Sequence, residues 1–350
     1  MSGTVGTIER PYKLGIVGGG PAGISILVRA MRLGIFETIA EGNDKEAGVV
    51  LIDSGTEQRL GGGKLQDYCI SSNTWGNKFY TNVVEEKADA LPAESIAETS
   101  LECLIKEGNY YSSAGKGLLE GGAKEAPLKA VGKFLVDVAC CVNRSMKAHT
   151  STSSILHETK VVRLERAHGS SGGRPLWKVL TVNEGSEEKG EYYCSHVALA
   201  TGGKQTRPDL GSKVLNNKVL VSDYVCTAAG ITDLRKKLLK HGPGPLAKKR
   251  IVIVGGSHSA FSAAWMCLHQ LGLTKEDLTA HGDLGANNIV ILHRSDIRVF
   301  YSTKKEADKD GYENIGVINS TTGQIHPFGG LRGDSKTLWR DCVNGHEPRV

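Results

Sequence analysis

Gly18, Gly20 and Gly23 stand in "GIVGGGPAGISILVRA" with the spacing G-x-G-x-x-G, and Asp53 ends the apolar run of "GVVLIDSG" that follows. These residue types at this spacing can hold a diphosphate. The first glycine allows a tight turn out of a strand, the second lets a phosphate approach the backbone, and the third lets a helix sit close on the strand. Free N–H groups and the helix dipole then face the anion. A carboxylate ending the next strand can accept hydrogen bonds from a ribose diol, which makes Asp53 the candidate. It lies roughly 30 residues beyond Gly23, where about 20 is usual, and "FETIAEGNDKEA" supplies the extra length. Taken alone, the motif also admits a structural turn without ligand.

A second turn of the same kind follows at "IVIVGGSHSAFSAAW", where Gly255, Gly256, Ser257, His258, Ser259 and Ala260 read G-x-S-x-S-A. Ser257 replaces the middle glycine and Ala260 the last. Both are small, and serine hydroxyls can donate to phosphate oxygens. His258 admits two readings, a loop histidine that orders the turn and a proton donor. Arg294 ends the following strand, where an arginine accommodates the 2′-phosphate of NADP and an acid would favour NAD. Arg298, Lys304 and Lys305 are further basic candidates, and a solvated strand end is the plain alternative for Arg294.

The elements that would position these residues are legible from periodicity. "YKLGIV" (12 to 17) and "GVVLIDSG" (48 to 55) read as buried strands flanking a helix with apolar residues at Ile24, Leu27, Val28, Met31 and Leu33. Residues 56 to 81 read as an ordered Gly- and Asn-rich loop, 92 to 108 as a helix and 127 to 148 as a second helix. Three β-like runs, 160 to 167, 177 to 183 and 191 to 203, form a meander, with the turn-rich "HGSSGGRP" between the first two. A basic helix, "ITDLRKKLLKHGPGPLAKKR", is ended by Gly and Pro. After 251 the strand–turn–helix pattern recurs, followed by a long polar insertion and the strand 288 to 295. The fold class is α/β, two Rossmann-like dinucleotide-binding domains with a β-meander between them.

Composition narrows the function. Of 350 residues, 39% are hydrophobic and 23% charged, so the chain folds and holds two domains. The 43 basic and 38 acidic residues leave a net charge of +5, spread along the chain. That suits anionic ligands in a local site and, with four Trp and six Phe, offers no nucleic-acid track. None of the eight cysteines forms C-x-x-C, and Cys140 and Cys141 are adjacent, so neither a metal framework nor a redox dithiol is expected. No signal core and no long apolar run appear, and the expectation is a cytoplasmic protein with reduced thiols, not membrane-bound. No Walker-type G-x-x-x-x-G-K-[ST] occurs; "GGGKL" has Leu65 at the hydroxyl position.

Two dinucleotide units separated by a meander and "ATG" resemble the two-dinucleotide-binding-domain flavoproteins. "GIVGGGPAG", carrying Gly18, Gly20, Pro21, Ala22 and Gly23, looks like their FAD motif. "HVALATGG", with Ala200, Thr201 and Gly202, looks like their strand returning to the FAD domain. "IVIVGGSHSA" is similar to their NADPH motif, and especially to the G-x-G-x-S-A form of flavin-containing and N-hydroxylating monooxygenases. The resemblance implies an FAD domain at 1–205, possible completion of that domain by 326–350, and an inserted NAD(P)H domain at 206–325. It also implies that Val161 meets the adenine through its backbone and that "GGGKLQDYCISSNTWG" lies beside the flavin, with Lys64 and Asn73 as polar candidates.

Departures from the family pattern bound the reaction. Cys69 stands alone where the disulfide reductases need a pair. The F-x-G-x-x-x-H signature of flavin-containing and Baeyer–Villiger monooxygenases is missing. "HPFGGLRGD" holds Gly333-Asp334 without the buried strand that precedes the family's Gly-Asp motif, so the expectation is a truncated chain or an FAD site completed elsewhere. The resemblance implies an FAD- and NADPH-dependent oxidoreductase, a monooxygenase of a small nucleophilic substrate. The alternatives are an NAD(P)H-flavin reductase serving a quinone or protein, and a non-catalytic dinucleotide-binding regulatory protein. The cofactor carries the hard chemistry, and no catalytic base and no metal site are expected.

Overall fold

The computed structural model describes residues 4–105, 112–168, 175–209, 211–240, 250–271, 289–347 and 350. The turn at 169–174, the Gly-Pro end of the basic helix at 241–249, the polar insertion at 272–288 and part of the terminal "HEPRV" lie outside the described residues. The chain divides into two units. The first comprises 1–66, 75–123 and 129–203, the second 67–74, 124–128 and 204–350.

In the first unit, "YKLGIV" forms β1 (Tyr12–Val17), followed by α1 (Pro21–Arg32), a short α2 (Phe36–Glu41) and β2 (Ala47–Ile52). All six residues of β2 are buried, as suits a parallel strand covered on both faces. After β2 the chain forms α3 (Gly76–Val84), α4 (Ser113–Glu120) and α5 (Leu128–Ala148), while β3 (Ser71–Trp75) and β4 (Glu125–Pro127) pair with each other and, apart from Trp75, belong to the second unit. It then adds β5 (Ser154–Leu156), β6 (Thr159–His168), β7 (Pro175–Asn183) and β8 (Lys189–Leu199). The sheet order is β5-β2-β1-β8-β7-β6. β1 runs parallel to β2 and β8, β2 to β5, and β6, β7 and β8 form the expected antiparallel meander. α5 buries Val131, Phe134, Val138, Cys141, Val142 and Met146, one stripe at helical spacing.

Two expectations for this region fail for physical reasons. Residues 56 to 81 are not one loop. They hold two 3₁₀ turns (Glu57–Arg59 and Gly63–Asp67), then β3 and α3. β3 exists because it pairs with β4, a partner some fifty positions away that local pattern cannot reveal. The helix expected over 92 to 108 is, among the described residues, a single 3₁₀ turn, Ser100–Leu104. Glu98 sits at φ 60°, which no helix tolerates. Glu94 is drawn away to Arg32. That arginine is buried in the last turn of α1 and donates to Glu94 at 2.8 Å and to the Glu85 carbonyl at 2.5 Å. Arg29 also pairs with Glu94.

The second unit carries α6 (Lys213–Asn216), α7 (Ser222–Val225), α8 (Ala228–Lys240), β9 (Ile251–Val254), α9 (His258–Gln270) and β10 (Ile289–Leu292). α10 (Lys304–Lys309) and α11 (Gly333–Val343) follow. Among the described residues β9 and β10 form a two-stranded parallel sheet. α9 supplies its core, with Phe261, Ala264, Met266, Cys267 and Leu268 packed against Leu331 and Leu338. Residues 326–350, considered as a completion of the FAD domain, therefore lie in the second unit. Their apolar side chains are claimed by α9. The described chain stays in the second unit after Gly203, and the segments inserted in sequence are instead 67–74 and 124–128, which leave the first unit to join the second.

The Arg32–Glu94 pair gives a prediction. Its hydrogen bond to Arg32, aided by Arg29, holds the Glu94 carboxyl below the usual carboxylate range. A carboxylate with a depressed folded-state pKa stabilises fully above the unfolded value of about 4.3, and that stability is lost as pH falls through the folded value. Glu94→Gln should therefore melt lower than wild type at pH 7 and lose less Tm between pH 5 and pH 3, as thermal denaturation would show. Parallel curves would contradict the assignment.

Candidate functional site

In the first unit three strand ends meet at Gly18. Its N–H donates to the Ile52 carbonyl at 2.8 Å, and the Ala200 N–H donates to the Val17 carbonyl at 2.8 Å. Gly18 has φ 105°, and a Cβ there would lie 2.4 Å from the Ala200 oxygen. Gly23 is equally constrained, since a Cβ would lie 1.8 Å from the Gly18 oxygen. Gly20 differs: a Cβ there would meet no protein atom within 4 Å. Gly20 caps α1 with no side-chain hydrogen bond, and Pro21 is at the first helical position, followed by Ala22. The N–H groups of the first helical turn thus have no side-chain partner and face open space beside Gly20, where an anion would be received.

Asp53 is part of the same turn. Its Oδ1 accepts from the Gly19 N–H at 2.8 Å and its Oδ2 from the Gly55 N–H at 3.1 Å. The carboxylate is thereby aimed along the turn, and each oxygen keeps a lone pair for a diol. The Gly61 N–H donates to the Gly19 carbonyl at 2.7 Å and brings the following loop against the turn. Lys64 is exposed on the 3₁₀ turn of that loop. Val161 sits half-buried on β6, opposite Thr181 and beside a bulge. Thr201 and Gly202 are exposed just beyond β8, with Gly202 at φ 66°. The open cradle at Gly20, the aimed Asp53 and the strand-end position fit an FAD diphosphate and ribose.

Gln66, on the loop after the first turn, belongs to no sequence motif. Its side chain is wedged against Gly62 and Gly132, where a Cβ at either position would approach it within 3 Å. Its buried Nε2 has no protein partner. The neighbouring glycines, far apart in sequence, give no local signal for this.

The second turn is built inside the second unit. The Gly255 N–H donates to the Leu292 carbonyl at 2.8 Å, tying the ends of β9 and β10 together. Gly255 has φ 136°, and Gly256 lies so close to His293 that a Cβ would come within 2.9 Å of it. Ser257 caps α9 without a side-chain bond, and its side chain and that of Ser259 are exposed. Arg294 is exposed just past β10, and Arg298 and Lys305 are exposed as well. Lys304 is held by Asp308 at 2.7 Å within α10.

His258, at the start of α9, has a buried Nδ1 with no protein partner. Burial lowers its pKa, against an opposing pull from Asp334, so the ring is neutral at pH 7. With Ser259 and Ser262 it lines a cavity of about 300 Å³ that also takes in Tyr68, Gln205 and Asp223. The Tyr68 hydroxyl donates to Asp223. Burial first, and then this bond, push the phenol up. Asn73 lines the same cavity from β3, so Lys64 and Asn73, paired in the sequence reading, fall in different units. Among the cavity residues not already named from the sequence, Ser262 carries a local signal, four positions after His258 on one helix face. Tyr68, Gln205 and Asp223 are brought together by the tertiary fold.

Two glycine turns at the carboxyl ends of parallel strands, each opening a helix, define a fold of the dinucleotide-binding α/β class. The chain belongs to the pyridine nucleotide-disulphide oxidoreductase family, whose model matches residues 12–309. It is 26% identical over 361 residues to the CMP-5′-(3-aminopropyl)phosphonate hydroxylase of Streptomyces rubellomurinus, an alignment covering 95% of this chain and 68% of that protein. The fold is similar to that of the FAD-bound cadaverine monooxygenase of Erwinia amylovora, with TM-score 0.50, 11% identity, and coverage of 97% and 67% of the two chains. The ornithine hydroxylase of Pseudomonas aeruginosa matches with TM-score 0.48 and 16% identity, over 97% of this chain and 72% of that one.

The two glycines of the first turn should respond differently to one methyl group. Gly20→Ala should keep the wild-type melting temperature and weaken FAD binding about tenfold or more, a cost of about 1.4 kcal/mol. Gly23→Ala should lower the melting temperature itself, because its Cβ strikes the Gly18 carbonyl. Flavin fluorescence titration and thermal denaturation of both variants check this.

Proposed function

We propose that this chain is an FAD- and NADPH-dependent monooxygenase that hydroxylates the nitrogen of a primary amine on a small molecule. The observation that carries the reading is the pair of open helix-opening turns, one in each unit, in a chain aligned over 95% of its length with a hydroxylase of an aminopropyl compound. Bound flavin would supply the reaction with oxygen once reduced by NADPH. The protein's own residues bind and orient. Gly18 to Gly23 and Asp53 hold the FAD diphosphate and ribose, and Val161, Lys64, Ala200, Thr201 and Gly202 border that cofactor. Gly255 to Ser259 receive the NADPH diphosphate. Arg294 pairs with the 2′-phosphate. Residues 1–205 thus serve FAD and 206–325 serve NADPH, with 67–74 and 124–128 attached to the second unit.

His258 enters as a neutral hydrogen-bonding ring, not as an imidazolium acid, because burial lowers its pKa. Among the described residues no helix is long and apolar enough to cross a membrane. All eight cysteines are free, which suits work in the reducing cytoplasm.

Aerobic incubation with NADPH and a panel of aliphatic primary amines, including 3-aminopropyl phosphonates, should yield hydroxylamines detected by mass spectrometry. Consumption of NADPH with reduction of an added quinone and no hydroxylamine from any amine would instead make the chain a reductase. Arg294→Glu should raise KM for NADPH about tenfold, roughly 1.4 kcal/mol, and leave KM for NADH near wild type. Equal effects on the two nucleotides would remove Arg294 from the 2′-phosphate role.

A further inference from the structure

The adjacent thiols of Cys140 and Cys141 occupy different faces of α5. Cys140 is exposed, whereas Cys141 is 3% exposed and points at the 3₁₀ turn Ser100–Leu104. That turn brings Cys103 to it, with the two Sγ atoms 2.8 Å apart. The approach is held by more than the sulfurs. Ser100 Oγ donates to the Cys141 carbonyl at 2.8 Å, and Ser145 Oγ donates to Ser100 Oγ at 2.8 Å. Leu101 and Leu104, on either side of Cys103, are buried. A bonded pair of sulfurs lies about 2.05 Å apart, so bond formation needs a closure of under an ångström. Cys103 is half-buried and is the thiol that solvent reaches.

We propose that Cys103 and Cys141 are a redox-modification site, oxidised to a reversible disulfide by hydrogen peroxide. The Cys103 thiolate attacks one peroxide oxygen, the O–O bond breaks, and the departing hydroxide takes a proton to leave as water. Cys103 is then a sulfenic acid. The Cys141 sulfur attacks the Cys103 sulfur and gives up its proton, the S–S bond forms, the S–O bond breaks, and a second water leaves. Two thiols and one peroxide become one disulfide and two waters. Sulfur is oxidised by two electrons and peroxide is reduced by two. The product staples the Ser100–Leu104 turn to α5 and closes the chain between residues 103 and 141, which restricts the unfolded state. The site uses no residue of either nucleotide turn.

The purified full-length protein, with its cofactor, is exposed to a few equivalents of hydrogen peroxide, alkylated under denaturing conditions and mapped without reduction. The expected product is a Cys103–Cys141 linked peptide pair. Titratable thiols fall from eight to six, and the melting temperature rises by several degrees until dithiothreitol reverses it. Cys140→Ser should behave as wild type, while Cys103→Ser should give no linked pair and no gain in melting temperature. Pairing of other cysteines, overoxidation of Cys103 with Cys141 still alkylated, or eight thiols remaining after treatment would each overturn the proposal.

Discussion

Everything in the first unit converges on the backbone contact between Gly18 and the ends of its neighbouring strands. The Gly18 N–H reaches Ile52 of β2, while Ala200, just past β8, donates to Val17 of β1. No side chain fits between Gly18 and the Ala200 carbonyl. This closeness sets where α1 begins, and the Gly23–Gly18 contact sets how near α1 lies to the strand. Only then does Gly20 face open space. The constraint is a backbone one, which is why three glycines carry the site and no catalytic side chain is needed to build it. Asp53 completes the arrangement by accepting one hydrogen bond at each oxygen from the turn itself, which fixes its carboxylate in place.

The second unit repeats the device with looser parts. Gly255 bonds to the end of β10 as Gly18 bonds to the end of β2, but Ser257 stands where Gly20 stands in the first turn. The hydroxyl narrows the approach and adds a donor. Beside it, the half-buried neutral His258 and the Tyr68–Asp223 pair give the adjoining cavity a polar lining. An unpartnered buried imidazole nitrogen in such a lining costs free energy unless a ligand or water meets it.

Much of this was legible in the sequence. β1, α1, β2, the meander, α5 and the β9–α9 pair follow from apolar period and from the glycine spacings. What escaped has a common cause. β3 forms because β4 pairs with it, the helix expected over 92 to 108 is broken because Arg32 captures Glu94 while Glu98 adopts a left-handed backbone, and 326–350 joins the second unit because α9 offers it an apolar face. Each is a long-range interaction overriding a local pattern. The same holds for the site. The turns were readable from spacing, whereas Gln66, Gln205, Tyr68 and Asp223 take their places only in the folded chain, where Asn73 lines the same cavity as the last three.

The central claim is that the first turn holds FAD and that NADPH reduces it. The most direct measurement is the visible spectrum of the purified protein, supplied with FAD and freed of excess, before and after NADPH without oxygen. The account predicts a protein-bound flavin band that bleaches on NADPH addition. A protein that retains no flavin, or a bound flavin that NADPH leaves oxidised, would contradict it.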